Sequence, residues 1–152
     1  MAVCSRSALG LALLVARGVS TAHGLDGSWS TRVERAGEEI LYEVNLGHSH
    51  GRLIGTWSVD TFQSSAGCLL GEPARKIVVF QTCTTDGSAG ARDMQAVCPE
   101  YHADRNRLVL AGSKLTWQTW DEQRHSWRKF VVLERSQNAR PLAWNEEECG
   151  KL

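Results

Sequence analysis

The sequence predicts an all-β protein, a small antiparallel up-and-down barrel of about eight strands, with a β-sandwich as the alternative. Three observations lead there. Apolar residues alternate with polar ones in short runs, as in Ile40, Tyr42, Val44 and Leu46 against Glu43 and Asn45. Gly, Ser, Asp and Asn bound those runs, and helical periodicity is nearly absent, so no crossover helix is available to build a parallel sheet. A row of short strands joined in sequence order leaves exposed edges unless it closes on itself, which favours the barrel over an open sheet.

The elements follow in order. Gly27 to Arg35 and Glu39 to Leu46 flank Ala36-Gly37-Glu38, a loop of hairpin length. His48-Ser49-His50-Gly51 reads as a turn, and Leu53, Gly55, Trp57 and Val59 form the apolar face of a third strand. Phe62 to Ala74, carrying Cys68 and Pro73, reads as a long loop. Lys76 to Cys83 is the most β-prone segment of the chain and is expected to be a central strand. From Thr84 to Asn106 the pattern is poor, with turns at Asp86-Gly87 and Cys98-Pro99 and one short strand or helical turn at Met94 to Cys98. Leu108 to Ala111 and Lys114 to Trp120 pair across Gly112-Ser113, and Ser126 to Arg135 follows the polar loop Asp121 to His125.

The N-terminus reads as a targeting segment. Arg6 precedes the apolar run Ala8 to Ala16, too short to span a bilayer but suited to a signal peptide, and Ser20 and Ala22 supply a small-x-small cleavage site. The expected division is therefore a signal peptide at 1–22, a β-barrel domain at 23–135 and a polar tail at 136–152. Loss of residues 1–22 removes Arg6 and Arg17 and no acid, so the balance of 17 basic and 17 acidic residues becomes 15 against 17. That slight negative charge argues against a nucleic-acid partner. No later stretch is long and apolar enough for a membrane-spanning helix. The expected location is secreted or periplasmic.

Cys68, Cys83, Cys98 and Cys149 remain after cleavage, an even number that implies two disulfides in an oxidising compartment, with three pairings open. The favoured pairing joins Cys83 to Cys98 and leaves Cys68 to tether the tail through Cys149. Gaps of 15, 15 and 51 residues lack the close pairs of a zinc site.

Leu25-Asp26-Gly27-Ser28-Trp29 resembles the G-x-W opening strand of the calycins, the lipocalin and avidin group. In those families the tryptophan closes one barrel end beneath a basic residue from the last strand, and the resemblance offers Arg128 or Arg135 for that place. Gly51 to Trp57 similarly resembles the third-strand region of avidins, although Thr31 and Trp57 replace the asparagine and tyrosine of the avidin pattern, and no T-D-Y-like lipocalin motif follows. The resemblance covers residues 25–60 and implies a barrel with a mouth. Small periplasmic protease inhibitors share the same architecture, a G-x-W-like start and a disulfide.

Candidate functional residues come chiefly from the six tryptophans, which offer large apolar area with a polar handle. Trp117 and Trp120 have opposite parity on one strand, so they face opposite sides unless a bulge intervenes. With Leu115 and Trp117 inward, Trp120 lies on the outer face beside the loop that holds Arg124, with Trp127 just beyond. Trp120, Arg124, Trp127 and Trp57 are the expected ligand- or partner-binding residues. Cleavage after Ala22 would make His23 the N-terminus, whose amine and imidazole could bind copper with a second imidazole from His48, His50, His102 or His125. A solvated N-terminal histidine and a polar turn are the plainer readings, so no metal or other cofactor is expected.

There is no G-x-S-x-G, H-E-x-x-H or glycine-rich phosphate loop, and Glu146-Glu147-Glu148 reads as solvated surface. The expectation is a non-catalytic protein that binds a small apolar or aromatic molecule in the barrel mouth. The alternative is a protein-binding inhibitor of an exported hydrolase, and copper binding through His23 is a distant third.

Overall fold

The structure is a computed structural model describing residues 24–62, 64–72, 76–85, 96–138 and 142–152, without the side chains of residues 103 and 104. Eight antiparallel strands close into one barrel in sequence order: β1 (Gly27–Arg35), β2 (Glu38–Ser49), β3 (Arg52–Asp60), β4 (Ser65–Gly71), β5 (Ile77–Thr84), β6 (His102–Ala111), β7 (Lys114–Asp121) and β8 (Ser126–Arg135). The barrel alternative of the two predicted closures is thus the one adopted. The expected signal segment and His23 lie outside the described residues.

Turn chemistry sets the register. Ala36 and Gly37, with φ of 54° and 81°, make a two-residue turn, tighter than the three-residue loop expected, because positive φ at both positions matches the strand twist. His50 and Gly51 do the same between β2 and β3, at 49° and 75°. His48 and Ser49 accordingly belong to β2 instead of a turn.

Two further expectations need correction. The supposed loop from Phe62 to Ala74 contains β4, whose Ser-Ala-Gly-Cys-Leu-Leu-Gly sequence hides the two-residue period because two of its inward positions, Gly67 and Gly71 on either side of Leu69, are glycines. A Cβ at Gly67 would come within 1.8 Å of the Cys83 carbonyl oxygen and 2.7 Å of Trp57 Nε1, so the indole takes the room a side chain would need. The strand β6 begins at His102, well before the expected Leu108, since its first half is polar. At Met94 to Cys98, the described part amounts to a single bridge between Val97 and Thr84.

Inward side chains form one apolar core, with Leu25, Trp29, Leu53, Phe80, Leu108, Leu115 and Leu133 essentially without solvent access. One end is sealed by Trp29. Its Nε1 donates to the Leu25 carbonyl at 2.9 Å, and the Arg135 guanidinium lies 4.4 Å above its ring. The Arg135 Nη1 donates to Asp26 O at 2.7 Å and its Nη2 to Gly24 O at 3.1 Å, so one cation ties the last strand to the segment entering the first. Of the two arginines offered by the calycin resemblance, Arg135 occupies the place. Gly27 is required there, because its φ is 118° and a Cβ would meet Arg135 Nη1 at 2.7 Å.

The disulfides are Cys83–Cys98 and Cys68–Cys149, the favoured pairing. The second holds the short helix α1 (Glu146–Cys149), capped by the Asn145 side chain, against the outside of the barrel. Tyr101 packs on this knot and donates its hydroxyl to Cys149 O at 2.8 Å. Burial pushes its pKa up to about 12, with Arg52 acting in the opposite sense. Among the described residues no helix is long and apolar enough to cross a membrane.

Truncation of the sealing residue, Trp29→Ala, is expected to cost about 3–5 kcal/mol in denaturant unfolding; a loss below about 1 kcal/mol would place Trp29 outside the sealing role. An ultraviolet titration should resolve a phenol ionising near pH 12 that disappears in Tyr101→Phe. Because the folded pKa lies above the ordinary value, the matching stability is present below about pH 10 and is lost as the pH rises through 12.

Candidate functional site

The β7–β8 hairpin positions the predicted contact residues. Asp121 begins the turn: its Oδ1 accepts the N–H of Gln123 at 3.0 Å and of Arg124 at 3.1 Å, a side-chain substitute for backbone turn bonds. Its Oδ2 lies 3.3 Å from Arg128 Nη1 and 3.8 Å from Arg124 Nη1. Desolvation alone would raise the Asp121 pKa, but the two amide bonds and the two guanidinium charges outweigh it, and the carboxyl is held below the ordinary carboxylate value.

Register places Trp120 directly opposite Trp127 on neighbouring strands. Their rings meet edge to face at 5.4 Å. A register shift does fall between Trp117 and Gln118, but the extra residue is Phe130 on β8, so parity along β7 survives and Trp120 stays on the outer face. Arg107, opposite Gln118 on β6, donates from Nε to Gln118 Oε1 at 2.6 Å and lays its guanidinium 4.4 Å over the Trp127 ring. Arg105 pairs with Glu122 at 3.2 Å. The result is an outer strip of two half-buried indoles and a stacked guanidinium, with exposed Arg124 at its end.

The sequence pointed to Trp120, Arg124 and Trp127 but not to Arg107. Its signal was available only as a position in β6, a strand whose polar half carries no apolar alternation.

The interior is occupied. Trp117 sits at the centre of an aromatic cluster, with Phe80 at 5.3 Å, Phe130 at 5.6 Å and Trp57 at 6.2 Å, and its Nε1 donates to Asn106 Oδ1 at 3.0 Å. Trp57, expected at a contact surface, is 7% exposed within this cluster, and its Nε1 has no acceptor among the described residues. Toward the open end Phe130 meets Tyr42 at 5.6 Å and remains 48% exposed. Depressions walled by described residues include a groove of about 200 Å³ between Thr56, Ser58, Cys68 and the tail residues Ala143 and Glu148, and one of about 250 Å³ at Arg32, Glu39 and Asp60. Both lie on the outer side.

Among the described residues, His48 and His50 make separate contacts. His48 Nδ1 is 2.6 Å from Asp26 Oδ1, fixing the chain that leads into Gly27, whereas His50 is exposed in the turn and bonded to Ser49. The sulfurs of Cys68, Cys83 and Cys98 cluster within 4.8 Å because Cys68 and Cys83 are cross-strand neighbours, but each sulfur is committed to a disulfide.

Comparisons with known protein families, with characterised proteins and with solved structures found no match.

Asp121→Asn should lower stability near neutral pH by loosening the hairpin turn. Since the folded pKa is depressed, the charge-dependent part of this stability is present above the ordinary carboxylate pKa and is lost as the pH falls through the folded value. Denaturant midpoints of wild type and variant should therefore converge as the pH falls below the ordinary carboxylate range; a difference that stays constant with pH would assign the effect to geometry alone.

Proposed function

We propose that this protein is a secreted or periplasmic, non-catalytic β-barrel that docks another protein, as an inhibitor of an exported hydrolase would, through the outer strip of Arg107, Trp120, Arg124 and Trp127. The observation that carries this reading is the filled interior. Trp57, Phe80 and Trp117 are each at most 7% exposed, which leaves the aromatic surface for recognition on the outside. Tryptophan and arginine are the residue types that dominate binding energy at protein interfaces, and a strip already ordered by ring and guanidinium stacking loses little side-chain entropy on contact. The closing of one barrel end by Trp29 and Arg135 supports a calycin-like ancestry. Two disulfides support an oxidising location.

A second reading rests on the mouth. Phe130 and Tyr42 present a partly open aromatic rim that suits a small apolar or aromatic ligand above the Trp117 cluster.

Titration of the protein against a panel of exported peptidases and glycosidases tests both. Inhibition by a stoichiometric complex is expected, with affinity lowered about 30-fold in a folded Trp120→Ala variant, corresponding to about 2 kcal/mol at a hot spot. Unchanged affinity in that variant would remove the strip from the interface. Saturable quenching of Trp117 fluorescence by a small aromatic probe, without any protein complex, would favour the mouth instead.

A further inference from the structure

Among the described residues, the barrel closes between β1 and β8 over two residue pairs, Trp29↔Arg135 and Ser30↔Glu134. Both strands continue well past that point, β1 to Arg35 and β8 back to Ser126, and remain paired on their other sides to β2 and β7. The two lips are solvent-accessible: Arg32, Val33, Glu34 and Arg35 are exposed on one, and Ser126, Arg128, Lys129 and Phe130 on the other. Phe130 is the bulged residue of β8, and a bulge bends its strand away from the line of its neighbours.

The hydrogen-bonding groups on the β1 lip can be assigned. Ser136 N–H donates to the Ser28 carbonyl at 2.8 Å, so the polar backbone of Ser28 faces β8. In an antiparallel strand the N–H and C=O of one residue point the same way, and the direction alternates along the chain. The β1–β2 register runs without a break from Gly27↔Leu46 to Arg35↔Glu38. The N–H and C=O of Arg32 and Glu34 therefore face the open seam, while those of Val33 and Arg35 face β2.

An unpaired strand edge of this kind is a template for a further strand. We propose that the β1 lip, from Arg32 to Arg35, binds an extended acidic segment of another protein by strand addition. The lips carry the basic residues Arg32, Arg35, Arg128 and Lys129 against the single acid Glu34, in a chain whose total charge is balanced. Glu39 and Asp121 pair with Arg32 and Arg128, which leaves Arg35 and Lys129 without an ion-pair partner among the described residues. Val33, 39% exposed, and Phe130 supply apolar ground for alternate side chains of the incoming strand. The binding edge lies on β1, whereas the tryptophan strip lies on β6 to β8, and the test needs no natural partner, so failure of one reading leaves the other standing.

The probe is a blocked heptapeptide alternating valine with glutamate, added to isotope-labelled full chain. Saturation should slow amide exchange at Arg32 and Glu34 by about ten-fold or more while leaving the Val33 amide unchanged. Glu34→Pro removes a seam-facing N–H without removing a β1–β2 bond, a placement an edge strand tolerates, and should abolish binding. Glu34→Ala keeps that N–H and should bind at least as well as wild type. N-methylation of alternate peptide amides should abolish binding to the unaltered protein, a result independent of how Glu34→Pro folds. The proposal is overturned if Arg32 and Glu34 gain no protection, if a lysine-for-glutamate peptide binds equally well, or if N-methylation has no effect. It is overturned as well if sedimentation finds a dimer that Glu34→Pro dissolves, because the occupant would then be a second copy of the chain.

Discussion

The meeting of β1 with β8 is the constraint on which the rest of this barrel depends. Every other strand pair is built from neighbours in sequence, which brings the partners together at smaller entropic cost. The closing pair joins residues more than a hundred positions apart, and it is short. What holds it is concentrated at one end, where the Arg135 guanidinium binds the carbonyl oxygens of Asp26 and Gly24 and covers the Trp29 ring. A planar cation with several donors suits this place, because it satisfies two carbonyls and an aromatic face at once.

That local closure shapes both ends of the molecule. At the sealed end, Leu25, Trp29, Leu53 and Leu133 pack without solvent access beneath the clamp. Toward the other end the seam opens, and the interior is filled instead by Trp57, Phe80, Trp117 and Phe130 in edge-to-face contact. Such contacts contribute about 0.5–1.5 kcal/mol each beyond the area they bury. The bulge at Phe130 links the two features: it turns an additional ring toward Tyr42 and Trp117 while bending β8 at the seam.

The two disulfides act on the side away from the seam. Cys68 and Cys83 are opposite each other on β4 and β5, so one patch of wall carries both the Cys98 segment and the tail helix. A loop spanning 81 residues is closed by the Cys68–Cys149 bond, which constrains the unfolded chain strongly in the loop-entropy account. The tail helix is thereby fixed at the wall formed by β4 and β5.

Much of this architecture is legible in the residues alone. Period-two alternation located β1, β2, β3, β7 and β8, and β-propensity located β5. Parity alone assigned Trp117 inward and Trp120 outward, and the four cysteines beyond residue 22 announced the disulfides. Two strands escaped for different reasons: β4 has Gly67 and Gly71 where inward apolar residues would show, since Trp57 fills the space at the first and Val78 and Phe80 that at the second, and the first half of β6 is polar. Only the folded chain could decide that Arg135, and not Arg128, covers Trp29, that Arg107 lies over Trp127, and that Trp57 is enclosed. Those are contacts between residues far apart in sequence, and their partners are set by strand register and bulge position, which no local pattern encodes.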